Sequence, residues 1–259
     1  MKANLNKLKR LIVKASFHAG EGHLGSDFSI LDILWVLYDK VLAINPKRPD
    51  DPRRDRFFLS KGQASLALYA VLAEKGFFSG EWLKKYCDFE SRLGGHPDRN
   101  KVPGAEASTG SLGHGFPMAV GNALGLKIKH FPSRVFVLIG DGEANEGAVW
   151  ESALLAAHHK LDNLSLILDY NHSTDRALRL GDLRTKFEAF GWTSVSVDGH
   201  DHKAIEKALR TKHLGKPLAV IAETIKGRGS KIMENNPAWH HKAPNREELE
   251  IILKELSPS

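Results

Sequence analysis

Short apolar runs alternate along this chain with segments that repeat apolar residues at helical spacing. Residues 135–139 and 164–168 are almost wholly apolar, the pattern of strands buried on both faces of a parallel sheet. Residues 148–160 between them have helical spacing, so the three segments predict one right-handed βαβ unit. Two more strands are predicted at 194–197 and 218–224. Strands alternating with helices predict an α/β fold, a doubly wound, mostly parallel sheet with helices on both faces.

Helices account for much of the remaining chain. Residues 1–20 predict an amphipathic helix with a basic solvent face, and Ser60 is the expected N-cap of a helix over 62–75. Residues 91–109 are rich in glycine and polar residues and too long for a simple connection, which favours a functional loop. Because no repeat or linker interrupts the pattern, residues 1–259 are expected to form a single domain. Further helices are predicted over 29–41, 81–86, 115–130, 186–190, 202–213 and 245–256.

Composition narrows the class of protein. The chain has 259 residues, 42% hydrophobic and 26% charged, as in soluble globular proteins, and no apolar run is long enough to span a membrane. The single cysteine, Cys87, rules out an internal disulfide and fits a reducing compartment, so we expect a cytoplasmic protein. The net charge of +6 suits sugar phosphates or an acidic partner, whereas scattered lysines and arginines argue against nucleic acid. The mixed charges of residues 50–56 are interpreted as a solvated face.

Polar side chains follow two of the predicted strands. Asp141 lies in Gly140-Asp141-Gly142 directly after the first apolar run, and Asn171 follows the second. Because open α/β sheets bind ligands at the carboxyl ends of their strands, we expect these two side chains to lie close together. Carboxylate and amide oxygens suit Mg²⁺, which takes a few protein ligands together with phosphate oxygens. The pair therefore predicts a magnesium-diphosphate site.

Glycine-rich and histidine-bearing loops supply further candidates. Residues 110–115 open a helix, where glycines let backbone amides approach an anion, although their spacing matches neither a dinucleotide turn nor a P-loop. His23, His96 and His240 lie in three separate loops and, with a metal site, become candidate catalytic residues. Other histidines have no further ligand at zinc spacing and are interpreted as helix-surface or loop residues: His158, His159, His200 and His202.

These motifs, in this order, resemble the transketolase family, and within it the N-terminal subunit of transketolases encoded as two polypeptides. The similarity extends over residues 11–244, and it includes the pairing of Gly-Asp-Gly at one strand end with asparagine at the next, the thiamine-diphosphate signature. Other matching segments are Ala19-Gly20-Glu21-Gly22-His23, Leu59-Ser60-Lys61-Gly62-Gln63-Ala64, Gly95-His96-Pro97, Ser108-Thr109-Gly110-Ser111-Leu112-Gly113, Leu161-Asp162-Asn163, residues 187–192 and 197–201, and Lys226-Gly227-Arg228-Gly229.

The resemblance implies thiamine diphosphate and Mg²⁺ as cofactors. It assigns the metal to the side chains of Asp141 and Asn171 and to the backbone carbonyl of Ser173. The activity it implies is transfer of a two-carbon ketol unit from a ketose phosphate to an aldose, with the cofactor as electron sink. Cofactor-binding roles are further implied for Gln63, Gly110, Ser111, Leu112 and Gly142.

Substrate-binding roles are implied in the same way. His23 and His240 would polarise substrate oxygens, and His96 would bind the donor hydroxyl. Arg92 matches a substrate-facing arginine. Glu146 resembles a glutamate that shares a proton with its symmetry mate at the interface between two copies.

The resemblance also implies a partner. In the family the cofactor lies between this domain and a pyrimidine-binding domain, so we expect an α2β2 assembly with a C-terminal transketolase subunit. The chain departs from the family pattern at Gln63, where histidine is usual, at Leu24 and at His114. The segment that follows Asn171 also differs and is shorter.

Three alternatives stay open at this point. The departures allow a specialised two-carbon transfer to a carrier-bound acceptor in a biosynthetic pathway. The α-subunit of a 2-oxo-acid dehydrogenase shares the Gly-Asp-Gly and asparagine pair. A degenerate subunit that binds the cofactor without turnover is the non-enzyme alternative.

Overall fold

A five-stranded sheet forms the centre of the protein, which a computed structural model describes over residues 2–257. All neighbouring strands are parallel, in the spatial order β1-β2-β3-β5-β4. The predicted α/β fold class is therefore confirmed. Met1, the first residue of the predicted N-terminal helix, lies outside the described residues, as do the last two residues of the predicted 1–259 unit. The strands are β1 (Arg56–Leu59), β2 (Val135–Gly140), β3 (Leu164–Tyr170), β4 (Thr193–Asp198) and β5 (Leu218–Glu223).

Helices cover both faces of the sheet. A π-helical turn, Leu37–Val41, extends α2, and short 3-10 turns precede α3 and α5. No helix in the described part of the chain is both long enough and apolar enough to cross a membrane. The α-helices are α1 (Lys2–Ala19), α2 (Leu24–Val36), α3 (Ser65–Glu74), α4 (Gly115–Ile128), α5 (Gly147–His158), α6 (Leu183–Ala189), α7 (His202–Leu209) and α8 (Arg246–Glu255).

The two faces of the sheet bury two separate apolar cores. In β2, Phe136 and Leu138 point into the core built with α1, α2, α3, α7 and α8. The alternate residues Val137 and Ile139 point into the core built with α4, α5 and α6. Because successive side chains of a strand face opposite sides, an unbroken apolar run is what a strand covered on both faces requires. All residues of α2 are buried, which explains why apolar residues occur on every side of this helix rather than along one stripe.

Several local predictions were wrong or incomplete. Strand β1 was not predicted, because its four residues follow directly on charged residues. Ser60 is not a helix cap; its hydroxyl donates to Glu143 instead. Helix α2 begins at Leu24 rather than at residue 29, directly after the loop that carries His23.

The charged run over residues 50–56 is only partly a solvated face. Asp55 is buried, and its carboxylate accepts hydrogen bonds from the backbone and guanidinium of Arg134 and from the amide of Ala43. Arg54 pairs with Glu106 in the long loop. These bonds fasten the amino ends of β1 and β2 to the chain around them, on the side of the sheet away from the polar strand ends.

Candidate active site

The carboxyl ends of β2, β3 and β5 border one large cavity of about 910 Å³. Gly140 lies opposite Asp169 in the sheet, so Asp141 and Asn171 leave neighbouring strands at the same edge. Both side chains line the cavity, and they are 3% and 7% exposed, respectively. The structure thus confirms the prediction that these two side chains lie close together at the edge of the sheet.

The buried ion pair of Lys61 and Asp169 orients the side chain of Asn171. Asp169 is fully buried, and its Oδ2 atom accepts hydrogen bonds from Lys61 Nζ at 2.6 Å and from Ser29 Oγ at 2.8 Å. The same oxygen accepts from Asn171 Nδ2 at 2.8 Å. Because a carboxylate can only accept, this bond fixes which side of the amide is nitrogen. The carbonyl oxygen of Asn171 is thereby held on the other side, where it accepts from the backbone and hydroxyl of Ser173.

Asp141 sits beside a second negative charge. Burial raises the pKa of the Asp141 carboxyl, and the charge of Asp169 raises it further. Its Oδ1 accepts from the amide of Gly142 at 2.8 Å, and its Oδ2 faces the amide of Thr174 at 3.4 Å. A carboxylate that is buried near another carboxylate is stabilised by a cation, so the donor set fits a metal ion.

Lys226 enters the cavity from the loop that follows β5. Its Nζ donates to Ser173 Oγ at 3.1 Å and to His240 Nδ1 at 3.0 Å. Burial lowers the pKa of Lys226, and the nearby charge of Lys61 lowers it further. An ammonium group between the candidate metal ligands and a histidine would attract an anionic group to this part of the cavity.

The three candidate histidines come together with a fourth. The ring of His23 lies 6.4 Å from that of His96, 5.9 Å from that of His240 and 4.5 Å from that of His241, measured between centroids. Burial lowers the pKa of His23 to about 4, with added repulsion from His241 and His240. Burial and Lys226 lower the pKa of His240 as well. At neutral pH these two rings are therefore uncharged and can both donate and accept hydrogen bonds.

The glycine loop packs against the same cluster. Gly110 has φ of +150°, and a Cβ built on it would lie 2.8 Å from the imidazole of His96. Only glycine fits this position, because both the backbone angle and the ring exclude a side chain. Further along the loop, the amide of Gly113 donates to Glu143 Oε1 at 2.9 Å. Ser60 donates to the same oxygen, so Glu143 joins the loop to the ends of β1 and β2.

The other predicted site residues divide into two groups. Gln63, Leu112, Gly142 and Ser173 line the cavity. Gln63 Oε1 is buried and has no hydrogen-bond partner within the described chain. The second group does not line it: Ser111 and Glu146 are exposed at the loop and at the start of α5, and Arg92 is exposed with its guanidinium 4.9 Å from the centre of the Trp82 ring.

Comparison with known proteins identifies the family to which the chain belongs. A family model described as the transketolase, thiamine diphosphate binding domain matches residues 1–257. The chain belongs to the transketolase family. The resemblance deduced from the motifs is thereby confirmed, and within the family the strand-end residues Asp141 and Asn171 occupy the thiamine diphosphate binding domain.

Transketolase relatives differ in how much of their length this chain matches. It is 42% identical to one of the subunits of the apulose-4-phosphate transketolase of Actinobacillus succinogenes, over 98% of this chain and 94% of that protein. It is 38% identical to a 6-deoxy-6-sulfo-D-fructose transketolase subunit of Clostridium sp., over 97% of this chain and 94% of that protein. The crystal structure of a transketolase from Pichia stipitis superposes with a TM-score of 0.91 at 30% identity, covering 99% of this chain but 40% of that one.

Sequence reasoning missed several residues of the candidate site. Lys61 and Lys226 both belong to segments that match the family, but no local signal showed that one is buried under the site and the other enters it. His241, next to the predicted His240, stacks on His23. His200 and His202 were interpreted as surface or loop residues, which is wrong for their rings: both hydrogen-bond to the buried carboxylate of Asp32.

Proposed function

We propose that this chain is the N-terminal, diphosphate-binding subunit of a transketolase that consists of two polypeptides and depends on thiamine diphosphate and Mg²⁺. The observation that carries the proposal is the meeting of Asp141, Asn171 and Lys226 around one cavity at the carboxyl edge of the sheet. Relatives that match over nearly their whole length are named as transketolase subunits, which supports a divided enzyme.

The donor set supports Mg²⁺ as the metal. The described residues include no group of three or more His, Cys, Asp or Glu side chains that could hold a metal ion. A hard cation here would take the Asp141 carboxylate, the oriented amide oxygen of Asn171 and the backbone carbonyl of Ser173. The remaining positions would go to diphosphate oxygens and water, as Mg²⁺ prefers.

The glycine loop and the strand ends would hold the organic cofactor. Thiamine diphosphate supplies an electron sink for breaking and forming the bond to the two-carbon unit. Gly110, Ser111 and Leu112 would approach it through the loop backbone, and Gly142 from the end of β2. Lys226, whose ammonium already lies beside Ser173, would bind the diphosphate as a point charge. Gln63, with its unpaired buried oxygen, faces the same space.

The histidine cluster would bind the substrate. His23, His96 and His240 would donate hydrogen bonds to carbonyl and hydroxyl oxygens of the sugar, and the lowered pKa of His23 and His240 keeps them neutral for this task. Arg92 keeps its proposed substrate-facing role only if its stacking on Trp82 gives way when the partner binds. Glu146, exposed at the start of α5, is proposed to meet its counterpart in a second copy.

The substrate is proposed to be a ketose that carries an anionic group. The two relatives named as transketolase subunits are named after sugars with such a group, a phosphate in one and a sulfonate in the other. Arg176 and Arg228 line the mouth of the cavity and are exposed, so an anion could reach them. The acceptor is proposed to be an aldose.

The assembly is proposed to complete the site. We treat residues 1–259 as one diphosphate-binding domain and assign the pyrimidine-binding domain to a C-terminal subunit, in an α2β2 complex. Cys87 is the only cysteine, so no internal disulfide demands an oxidising compartment, and we propose a cytoplasmic location.

Two-carbon transfer from xylulose 5-phosphate to ribose 5-phosphate tests the proposal. The assay contains thiamine diphosphate and Mg²⁺, with this chain alone and mixed with the product of the adjacent gene. We expect activity only in the mixture. Activity of the pure chain would contradict the divided enzyme. If the mixture is inactive but the cofactor binds, a different donor or acceptor is indicated.

Cofactor binding to the chain gives an independent test of the metal site. Asp141→Ala is expected to abolish Mg²⁺-dependent binding of thiamine diphosphate, measured by calorimetry. Asp162→Ala is the matched control, because Asp162 is an exposed carboxylate paired with Lys127. Unchanged affinity in Asp141→Ala would refute the assignment of the metal site.

A further inference from the structure

A buried polar network lies behind the loop that carries Lys226. On one side of Lys226, the amide of Ile225 donates to His200 Nε2 at 2.9 Å. On the other side, Lys9 Nζ from α1 donates to the carbonyl of Arg228 at 2.5 Å. The backbone of this loop is thus held by hydrogen bonds on both sides of Lys226.

Asp32 on α2 holds the network together. Its Oδ2 accepts from His200 Nδ1 at 3.0 Å and its Oδ1 accepts from His202 Nε2 at 2.7 Å. Burial alone would raise the pKa of Asp32, but the two histidine hydrogen bonds and the charge of Lys9 lower it well below the ordinary value. The carboxylate therefore stays ionised inside the protein, at 8% exposure. Asp32, Lys9 and His202 do not line the cavity, whereas His200 borders it.

The hydrogen bonds fix the tautomer of His200. The Nε2 atom accepts from an amide, so it carries no proton, and Nδ1 is the nitrogen that donates to Asp32. An acidic partner that fixes the tautomer and the ring plane is the arrangement by which proteins orient a functional histidine. Here the oriented atom is directed at a backbone amide, one residue before Lys226.

We propose that His200, oriented by Asp32, is a positioning residue for Lys226. By holding the amide of Ile225 it sets where the Lys226 ammonium lies, 3.1 Å from Ser173 Oγ and 3.0 Å from His240 Nδ1. Keeping a carboxylate and a lysine buried costs desolvation energy, and replacing such groups with apolar ones is often neutral for stability. A positioning role accounts for the network where a stabilising role does not. This inference rests on the proposed cofactor site.

Two substitutions at one position separate positioning from simple packing. In His200→Asn, the side-chain amide can still donate to Asp32 but no longer reaches the amide of Ile225. In His200→Gln, the longer side chain can place an acceptor where Nε2 was. We expect His200→Asn to weaken thiamine diphosphate binding with Mg²⁺ by about tenfold, as losses of supporting groups around metal sites do, and His200→Gln to restore most of it.

Amide hydrogen exchange of the ligand-free chain reports directly on the hydrogen bond from Ile225 to His200. The amide of Ile225 should exchange faster in His200→Asn than in wild type, and at near wild-type rate in His200→Gln. Should the cofactor fail to bind wild type, the proposed function fails and this exchange measurement still decides the inference. Equal effects of both variants on exchange and on affinity would overturn it.

A double-mutant cycle tests whether His200 acts through Lys226. Lys226→Met removes the ammonium, so adding His200→Asn to it should cause no further loss of cofactor affinity. Losses that multiply would show that His200 acts independently and would overturn the proposal. If His200→Asn does not fold, Asp32→Ala replaces it in the cycle, because His200 then lacks the acceptor that orients its ring.

Discussion

At the scale of single residues, the site stands on one buried ion pair. Lys61 and Asp169 are 2% and 0% exposed at their side chains, and their nitrogen and oxygen lie 2.6 Å apart. Thr224 and Ser29 also donate to Asp169, so its carboxylate oxygens accept hydrogen bonds from several polar groups. Removing one member leaves the other charge buried without its ionic partner.

Asp169→Asn is therefore expected to lower the free energy of unfolding by about 3–5 kcal/mol, the usual cost of breaking a buried pair. Asp162→Asn is the matched control, because the Lys127–Asp162 pair is exposed and its loss should cost at most about 1 kcal/mol. Urea unfolding of both variants makes the comparison. Equal losses would show that the Lys61–Asp169 pair is hydrated in solution.

The histidine cluster predicts how stability depends on pH. The pKa of His23 is about 4 in the folded protein, against an ordinary value of 6.5, so folding favours the neutral ring. Above pH 6.5 the lowered pKa of His23 does not reduce the stability of the fold. As the pH drops from 6.5 towards 4, the free energy of unfolding falls.

His23→Gln should lose less stability than wild type across that pH interval, measured by urea unfolding at neutral pH and within the interval. The control is His158→Gln, because His158 lies exposed at the end of α5 and its variant should follow the wild-type pH profile. The same profile in His23→Gln as in wild type would contradict the depressed pKa.

At the scale of secondary structure, the loop over residues 110–115 depends on glycine where it meets His96. Gly110→Ala is expected to cost about 1–3 kcal/mol in backbone strain and to displace the His96 ring, so cofactor affinity should fall. Gly121 in α4 is the control: an added Cβ meets nothing within 4 Å, and Gly121→Ala should stabilise the isolated chain by about 0.5–1 kcal/mol. Calorimetry with thiamine diphosphate and thermal unfolding measure the two effects. A Gly110→Ala chain that binds the cofactor normally would mean that this loop does not contact it.

The elements differ in how well the sequence predicts them, for physical reasons. Strands β2 and β3 are covered on both faces, so their apolar runs are unbroken and were found with small errors at the ends. Strand β1 has four residues, too few to show a pattern beside a charged run. The prediction extended α7 to residue 213, because nothing in the sequence there requires the helix to end. In the structure its C-cap is Arg210.

The candidate site also has a part that the sequence predicts and a part that it does not. Asp141 and Asn171 were predicted together because the ends of adjacent parallel strands must meet, which follows from topology alone. The convergence of His23, His96 and His240 depends on the paths of three loops, and those paths carry no periodic signal. The contact of Asp32 with His200 joins residues far apart in the sequence, and only tertiary packing brings them together.

At the scale of the whole molecule, the proposed division of the enzyme into two chains has a thermodynamic consequence. If the cofactor lies between this chain and its partner, the partner must raise cofactor affinity by the same factor by which the cofactor raises affinity for the partner. Couplings between sites commonly amount to about 5–150-fold. In the proposed assembly the factor would come from contacts that a pyrimidine-binding domain of the partner adds to a cofactor that Asp141, Asn171 and Lys226 are proposed to bind.

We therefore expect thiamine diphosphate with Mg²⁺ to strengthen association of the two chains, measured by analytical ultracentrifugation with and without the cofactor. Calorimetric titration of cofactor into the chain alone and into the mixture should give the same factor. In Asp141→Ala the coupling should disappear while the cofactor-free association stays as in wild type, because the carboxylate faces the cavity and not the surface. Association that is indifferent to the cofactor in wild type would mean that the cofactor does not lie between the two chains.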